Sequence, residues 1–204
     1  MPRYSFAYRW GITPWERYPA AAAESVRAVL DREESDRPRP LGRALDLGCG
    51  RGLWTLELVR RGWDTVGVDE VPQVIDAARA AVPGAHFVVG NVTDLAAAGL
   101  GTFDLLLDVG CFQGLSARQR RAEARSAAVV AAPGATLLLL ALGPSRLRAL
   151  VGGASTADVE AAFADGWDLL SVEPADTAGL RWPLDRTAPQ WFRMRRRDGG
   201  PGLA

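Results

Sequence analysis

Three aspartates, Asp46, Asp69 and Asp108, each stand at or near the end of a short β-rich or apolar run. Asp46 leads into Gly48, Cys49, Gly50 and Gly52, Asp69 is followed by Glu70, and Asp108 leads into Gly110, Cys111, Phe112 and Gln113. Glycine tolerates positive φ and admits a ligand close to the backbone, so Gly48, Gly50 and Gly52 suit a tight, ligand-facing turn. Carboxylates beside such a turn accept charge-assisted hydrogen bonds from ligand hydroxyls, worth roughly 1.5–3 kcal/mol each. No general base is evident: Asp108 is the one candidate to take a proton from an acceptor, and its other reading is a structural hydrogen-bond partner.

These residues need a scaffold. Residues 44–47 read as a buried strand, and Leu53, Trp54, Leu56, Leu58 and Val59 have helical apolar spacing. Strand, glycine turn and helix place free helix amides in the same crevice, which describes a nucleotide-type site in an α/β sheet. The dinucleotide pattern G-x-G-x-x-G would need a third glycine at Leu53, so this turn does not fit it. Further strands are expected at 64–69, 85–89, 103–109, 135–141, 167–172 and 190–195. Helices are expected at 18–32, 71–81 and 156–164. Asp69 would either bind ligand or cap the helix that follows it. Alternation of strands with helices argues for a largely parallel sheet. The chain reads as one domain over 1–204, with an N-terminal cap over 1–32 and a solvated tail over 196–204.

The run Asp46-Leu47-Gly48-Cys49-Gly50-Arg51-Gly52 resembles the first motif of the class I S-adenosylmethionine-dependent methyltransferases. Three more segments match the family in order: Asp64–Asp69, the stretch 85–95, and Phe103-Asp104-Leu105-Leu106-Leu107-Asp108-Val109-Gly110-Cys111-Phe112. The last is similar to the fourth strand of small bacterial methyltransferases. The entry segment Tyr8-Arg9-Trp10-Gly11-Ile12-Thr13-Pro14-Trp15-Glu16 resembles the thiopurine and tellurite-resistance type.

The resemblance implies a Rossmann-like, seven-stranded sheet in the order 3-2-1-4-5-7-6 with the last strand antiparallel. It implies S-adenosyl-L-methionine as cofactor. Asp46, Gly48, Cys49, Gly50 and Gly52 would hold the methionine portion, Asp69 with Glu70 the ribose, and Asn91 with Val92 the adenine. Asn91 departs from the acidic residue usual there, but an amide oxygen still accepts from an amine. Asp108, Gly110 and Trp15 would border the sulfonium, an aromatic face stabilising such a cation by about 0.5–2 kcal/mol. Tyr8, Trp10, Cys111, Phe112, Gln113 and Trp182 would line the acceptor pocket. The implied reaction moves a methyl group to an O, N or S atom of a small molecule, a secondary metabolite being one class. A non-catalytic cofactor-binding protein and an NAD-linked oxidoreductase are the alternatives.

Composition excludes other chemistry. All 24 basic residues are arginine, so there is no Schiff-base, kinase or P-loop lysine. His86 is the sole histidine and starts a strand, at the end opposite the crevice. With no second histidine and no evident carboxylate cluster, no metal site is expected. Twenty-four acidic residues balance the charge, so no global field favours nucleic acid. No apolar run is long enough for a bilayer, and the N-terminus lacks a signal core, so a cytoplasmic bacterial protein is expected. Cys49 and Cys111 then read as free thiols near the cofactor floor. Nucleophilic catalysis by Cys111 is the less favoured reading. Oligomeric state is not legible.

Overall fold

The computed structural model describes residues 18–144, 152–176 and 187–198, with side chains from Ala22 onward. Helix α1 spans Tyr18–Glu34 and precedes strand β1, Arg43–Leu47. Helix α2 (Leu53–Arg61) ends at Gly62, whose left-handed backbone lets its N–H reach the carbonyls of Leu58 and Val59. Strand β2 (Asp64–Asp69) leads to α3 (Pro72–Ala81), which opens on a proline that needs no amide partner there. Strands β3 (His86–Val89) and β4 (Phe103–Val109) follow. Helix α4 (Ala117–Val130) starts in a capping box between Ser116 and Gln119. It runs directly into β5 (Ala131–Ala141). Helix α5 (Thr156–Phe163) has a second capping box, Ser155 with Asp158, and strands β6 (Trp167–Pro174) and β7 (Gln190–Arg196) close the fold.

The strands form one sheet in the order β3-β2-β1-β4-β5-β7-β6. The first five run parallel, and β7 is antiparallel to both β5 and β6. The expected fold class and strand order are therefore observed. Chain direction across the sheet reverses between β1 and β4, the place where open α/β sheets bind ligands.

Both faces of the sheet are covered, so alternate residues of the inner strands enter opposite cores. Leu106 of β4 and Leu137 and Leu139 of β5 pack toward α4 and α5 with Ala124, Ala127, Phe163 and Trp167. Leu105, Leu107, Leu138 and Leu140 pack the other way, toward Val26, Leu30, Trp54 and Leu58 of α1 and α2. This parity also decides where the polar residues point. Leu45 and Leu47 face the α4 side, so Asp46 faces α2; Leu107 faces α2, so Asp108 faces α4.

Most element ends fall within two residues of expectation, and two differences matter for the packing. Strand β5 begins at Ala131, because Pro133-Gly134 makes a bulge that shifts its register against β4 between Phe103 and Leu105. The expected tail from 196 is also corrected: Arg196 is the last residue of β7, and its Nε donates to the Ala128 carbonyl. Arg197 donates its backbone N–H to Gly166 and an Nε hydrogen bond to Asp168. No described helix is long and apolar enough to cross a membrane.

Candidate cofactor and acceptor site

The glycine turn joins β1 to α2 at the carboxyl end of the sheet. Gly48, Gly50 and Gly52 have φ of 66°, 53° and 81°, a region side chains rarely adopt. A methyl group on Gly48 would lie 2.8 Å from the Cβ and Sγ of Cys111, so the turn and the β4 loop touch there. Asp69 braces the turn from β2. One of its oxygens accepts from the Gly50 amide at 3.1 Å and the other from Val71 at 3.0 Å. It is not the helix cap, which is Val71. Asp46 lies beneath the turn and accepts from the Thr55 hydroxyl of α2 at 2.6 Å.

On the other side of the switch point, Asp108 accepts from the backbone amides of Cys111 at 2.8 Å and Phe112 at 3.0 Å. These bonds fold residues 110–114 back over the end of β4. Helix α4 supports the fold from below. Arg120 donates to the carbonyls of Phe112, Gln113 and Gly153, with its guanidinium 5.0 Å from the Phe112 ring centroid. Glu123, one turn on, brings a carboxyl oxygen within 4.8 Å of Asp108 and of the Cys111 sulfur. The side chain of Gln113 accepts from the Leu142 amide after β5, and its carbonyl accepts from Gly153. The loops after β4 and β5 thus form one wall.

The electrostatics follow from burial. Asp46 is 1% exposed and Asp108 0% exposed, and neither has an arginine partner among the described residues. Burial raises the pKa of Asp46 to about 7 against the Thr55 hydrogen bond, with the charges of Asp108 and Asp69 adding to the rise. Burial raises Asp108 to about 6, opposed by hydrogen bonds from Glu123, Cys111, Phe112 and Gly110. Burial also raises Asp69, against its hydrogen bonds from Val71, Gly50 and Glu70. Exposed Glu70 is raised by desolvation and by the Asp69 charge. The Cys111 thiol is pushed well above its ordinary value by burial and by Asp108, Glu123, Asp69 and Glu70, so it stays protonated.

Several expected roles need correction. Asp108 does not present a base to an acceptor, since it is buried and both oxygens accept from amides of the loop that follows β4. Phe112 does not line a pocket: it is 0% exposed and packs on Phe163 at 5.5 Å. The oxygen of Asn91 is taken by the amide and hydroxyl of Thr93, at 2.9 and 2.8 Å, and is not offered to a ligand amine. The Cys49 side chain packs among Ile75, Ala78, Val82 and Phe87, and that of Val92 enters the core, so any contact of Val92 with the adenine falls to its backbone amide, the role expected of it. The expectation of no carboxylate cluster also fails, because Asp108 and Glu123 meet below the β4 loop. Sequence reasoning missed Glu123 and Arg120. Their signal was the spacing Arg120, Glu123, Ala124, Ala127 and Val130, one face of a helix. Tyr8, Trp10, Trp15 and Trp182 lie outside the described residues.

Residues 44–134 match the model of a methyltransferase domain family. The chain is 46% identical over 70 residues to a magnesium-protoporphyrin O-methyltransferase of Rhodobacter capsulatus, covering 32% of this chain and 30% of that protein. It is 32% identical over 143 residues to a ubiquinone biosynthesis O-methyltransferase of Xanthomonas campestris pv. campestris, covering 68% of this chain and 58% of the relative. It therefore spans less than a third of the first relative's length and just over half of the second's. A TehB-like SAM-dependent methyltransferase from Corynebacterium glutamicum superposes with a TM-score of 0.67 at 22% identity, over 97% of this chain and 100% of that one. The domain match, the strand order and the glycine turn at the β1–β4 switch point agree: the chain carries a methyltransferase domain over residues 44–134, in a fold similar to that of the class I S-adenosylmethionine-dependent methyltransferases.

Proposed function

We propose that this protein transfers a methyl group from S-adenosyl-L-methionine to a small molecule. The observation that carries the reading is the cradle itself. A left-handed glycine turn, braced by Asp69, closes over buried acids that lack a cationic partner among the described residues. Those residues fit a ligand that is cationic at one end and carries hydroxyls at the other. The Gly48–Gly52 backbone and Asp46 hold the methionine portion. Asp69 with Glu70 binds the ribose, and the backbone near Asn91 and Val92 borders the adenine.

The cofactor supplies a methyl group activated by its sulfonium. This chain supplies position and field. Orientation of two bound reactants contributes roughly 7–11 kcal/mol in favourable cases. With Asp108 turned inward and His86 at the far end of β3, no described side chain acts as a general base. The acceptor is then already nucleophilic at neutral pH: a thiolate, an acidic phenol or a ring nitrogen. Gln113, Cys111 and the loop after β5 form the described part of its wall.

Incubation with methyl-labelled S-adenosylmethionine and a panel of thiols, phenols, amines and carboxylic acids tests this. Label in one class names the attacking atom. Micromolar cofactor binding with no transfer to any class would favour the non-catalytic alternative.

A further inference from the structure

We propose that Glu123 is a positioning residue that keeps its proton and donates it to Asp108, so that the pair carries a single negative charge and locks the β4 loop. The proposal rests on the cofactor reading for its functional consequence but not for its chemistry.

Glu123 is 1% exposed, and neither of its carboxyl oxygens receives a hydrogen bond from any donor among the described residues. An ionised carboxylate left so would be costly to bury. A carboxylic acid, however, has a proton to give, and the Asp108 carboxylate, within 4.8 Å, is the group that a protonated Glu123 hydrogen-bonds. Asp108 already receives the amides of Cys111 and Phe112, which makes it the member of the pair that ionises. The groups facing Glu123 agree with this division. Asp108 faces it from the end of β4, the Cys111 thiol from the loop, and Arg120 from its own helix. Arg120 is committed to three backbone carbonyls and lies 3.5 Å from Asp158. Burial and the Asp108 charge both drive the Glu123 pKa well above its ordinary value, against Arg120.

The consequence is mechanical and electrical. The shared proton ties α4 to the loop that borders the crevice. It also leaves one charge, not two, beneath a site meant for one cation. Loss of the proton at alkaline pH places two charges in a dry cavity, and the loop releases.

Infrared difference spectroscopy of the ligand-free full chain near neutral pH, wild type minus Glu123→Gln, is the direct test. The expected result is a protonated carboxyl C=O band in the wild type that the variant lacks. The pH profile of S-adenosylmethionine affinity gives the functional readout. Wild-type affinity falls on the alkaline side, whereas Glu123→Gln, which donates but cannot ionise, loses that limb. Should Glu123→Gln fail to fold, the side-chain carboxyl carbon shifts of 13C-labelled wild type serve instead, with one glutamate expected not to titrate in the usual range. No protonated band and no such glutamate would overturn the proposal, as would a stoichiometric divalent metal in the purified protein. Absence of cofactor binding alongside an intact band would remove the cofactor reading and leave the shared proton standing.

Discussion

Buried acids occur at both ends of this sheet, and the two ends treat them oppositely. At the amino end, Glu33 accepts from Arg37 at 2.7 Å and from Arg193 at 2.7 Å. Burial works against its ionisation, yet hydrogen bonds from Thr136, Arg37 and Arg193 outweigh that and hold its pKa below the ordinary value. Its neighbour Glu34 accepts from Arg61 at 3.1 Å and from the Trp63 indole at 2.8 Å. At the carboxyl end, Asp46 and Asp108 are met by hydroxyl, amide and carboxyl groups and by no cation among the described residues, and both are raised toward neutrality. One end is finished within the chain. The other holds charge that the described chain leaves uncompensated, which marks where an external cation belongs.

The comparison can be broken by mutation at either end. The largest expected effect is at Asp69. Asp69→Ala removes the brace on Gly50 and the ribose acceptor, and cofactor affinity should fall about a hundredfold, roughly 3 kcal/mol, by calorimetry. An unchanged affinity would put the cofactor elsewhere. At the amino end, Glu33→Ala leaves two half-buried arginines uncompensated and should cost about 2–3 kcal/mol in urea denaturation, with cofactor affinity unaltered in the folded protein.

Asp46→Asn should do the reverse at the crevice. It keeps a partner for Thr55 but removes a buried charge. Asp46 has a raised pKa when folded, so the folded state holds a proton that the unfolded state has lost between about pH 4 and 7. Its contribution to stability therefore falls as pH rises through that window. The variant should be more stable than wild type by about 1–3 kcal/mol at pH 8, and the gain should vanish by about pH 4, while cofactor affinity drops about tenfold at pH 8. Glu33, with its lowered pKa, contributes stability above the ordinary carboxylate range that is lost as pH falls through its folded value. The smallest effect is at Cys111. Its thiol is protonated, so Cys111→Ala should keep turnover within about threefold of wild type. A complete loss of methyl transfer with a folded protein would restore the nucleophile reading.

The acids at the carboxyl end were largely legible, and their partners were not. Asp46, Asp69 and Asp108 announce themselves by standing at strand ends beside glycine or a turn, and strand order followed from the family resemblance. What a strand end cannot show is which layer its last side chain enters. Asp108 looked available to an acceptor, but the alternation that sends Leu107 toward α2 sends Asp108 toward α4. Glu123 was hidden for a different reason. Helix α4 is rich in arginine and reads as solvated, and its buried face shows only once Ala124, Ala127 and Val130 are aligned with Arg120. Asn91 misled because a side chain of the right type sits at the right place but spends its oxygen on the adjacent Thr93.

Acids poised near neutrality change what a calorimeter records. A cation seated beside Asp46 and Asp108 lowers both pKa values, and the displaced protons pass to the buffer. The measured heat then contains the buffer's own enthalpy of protonation. Titrations in phosphate and in Tris should differ near pH 7 and converge above pH 8, where the crevice has already given up its protons.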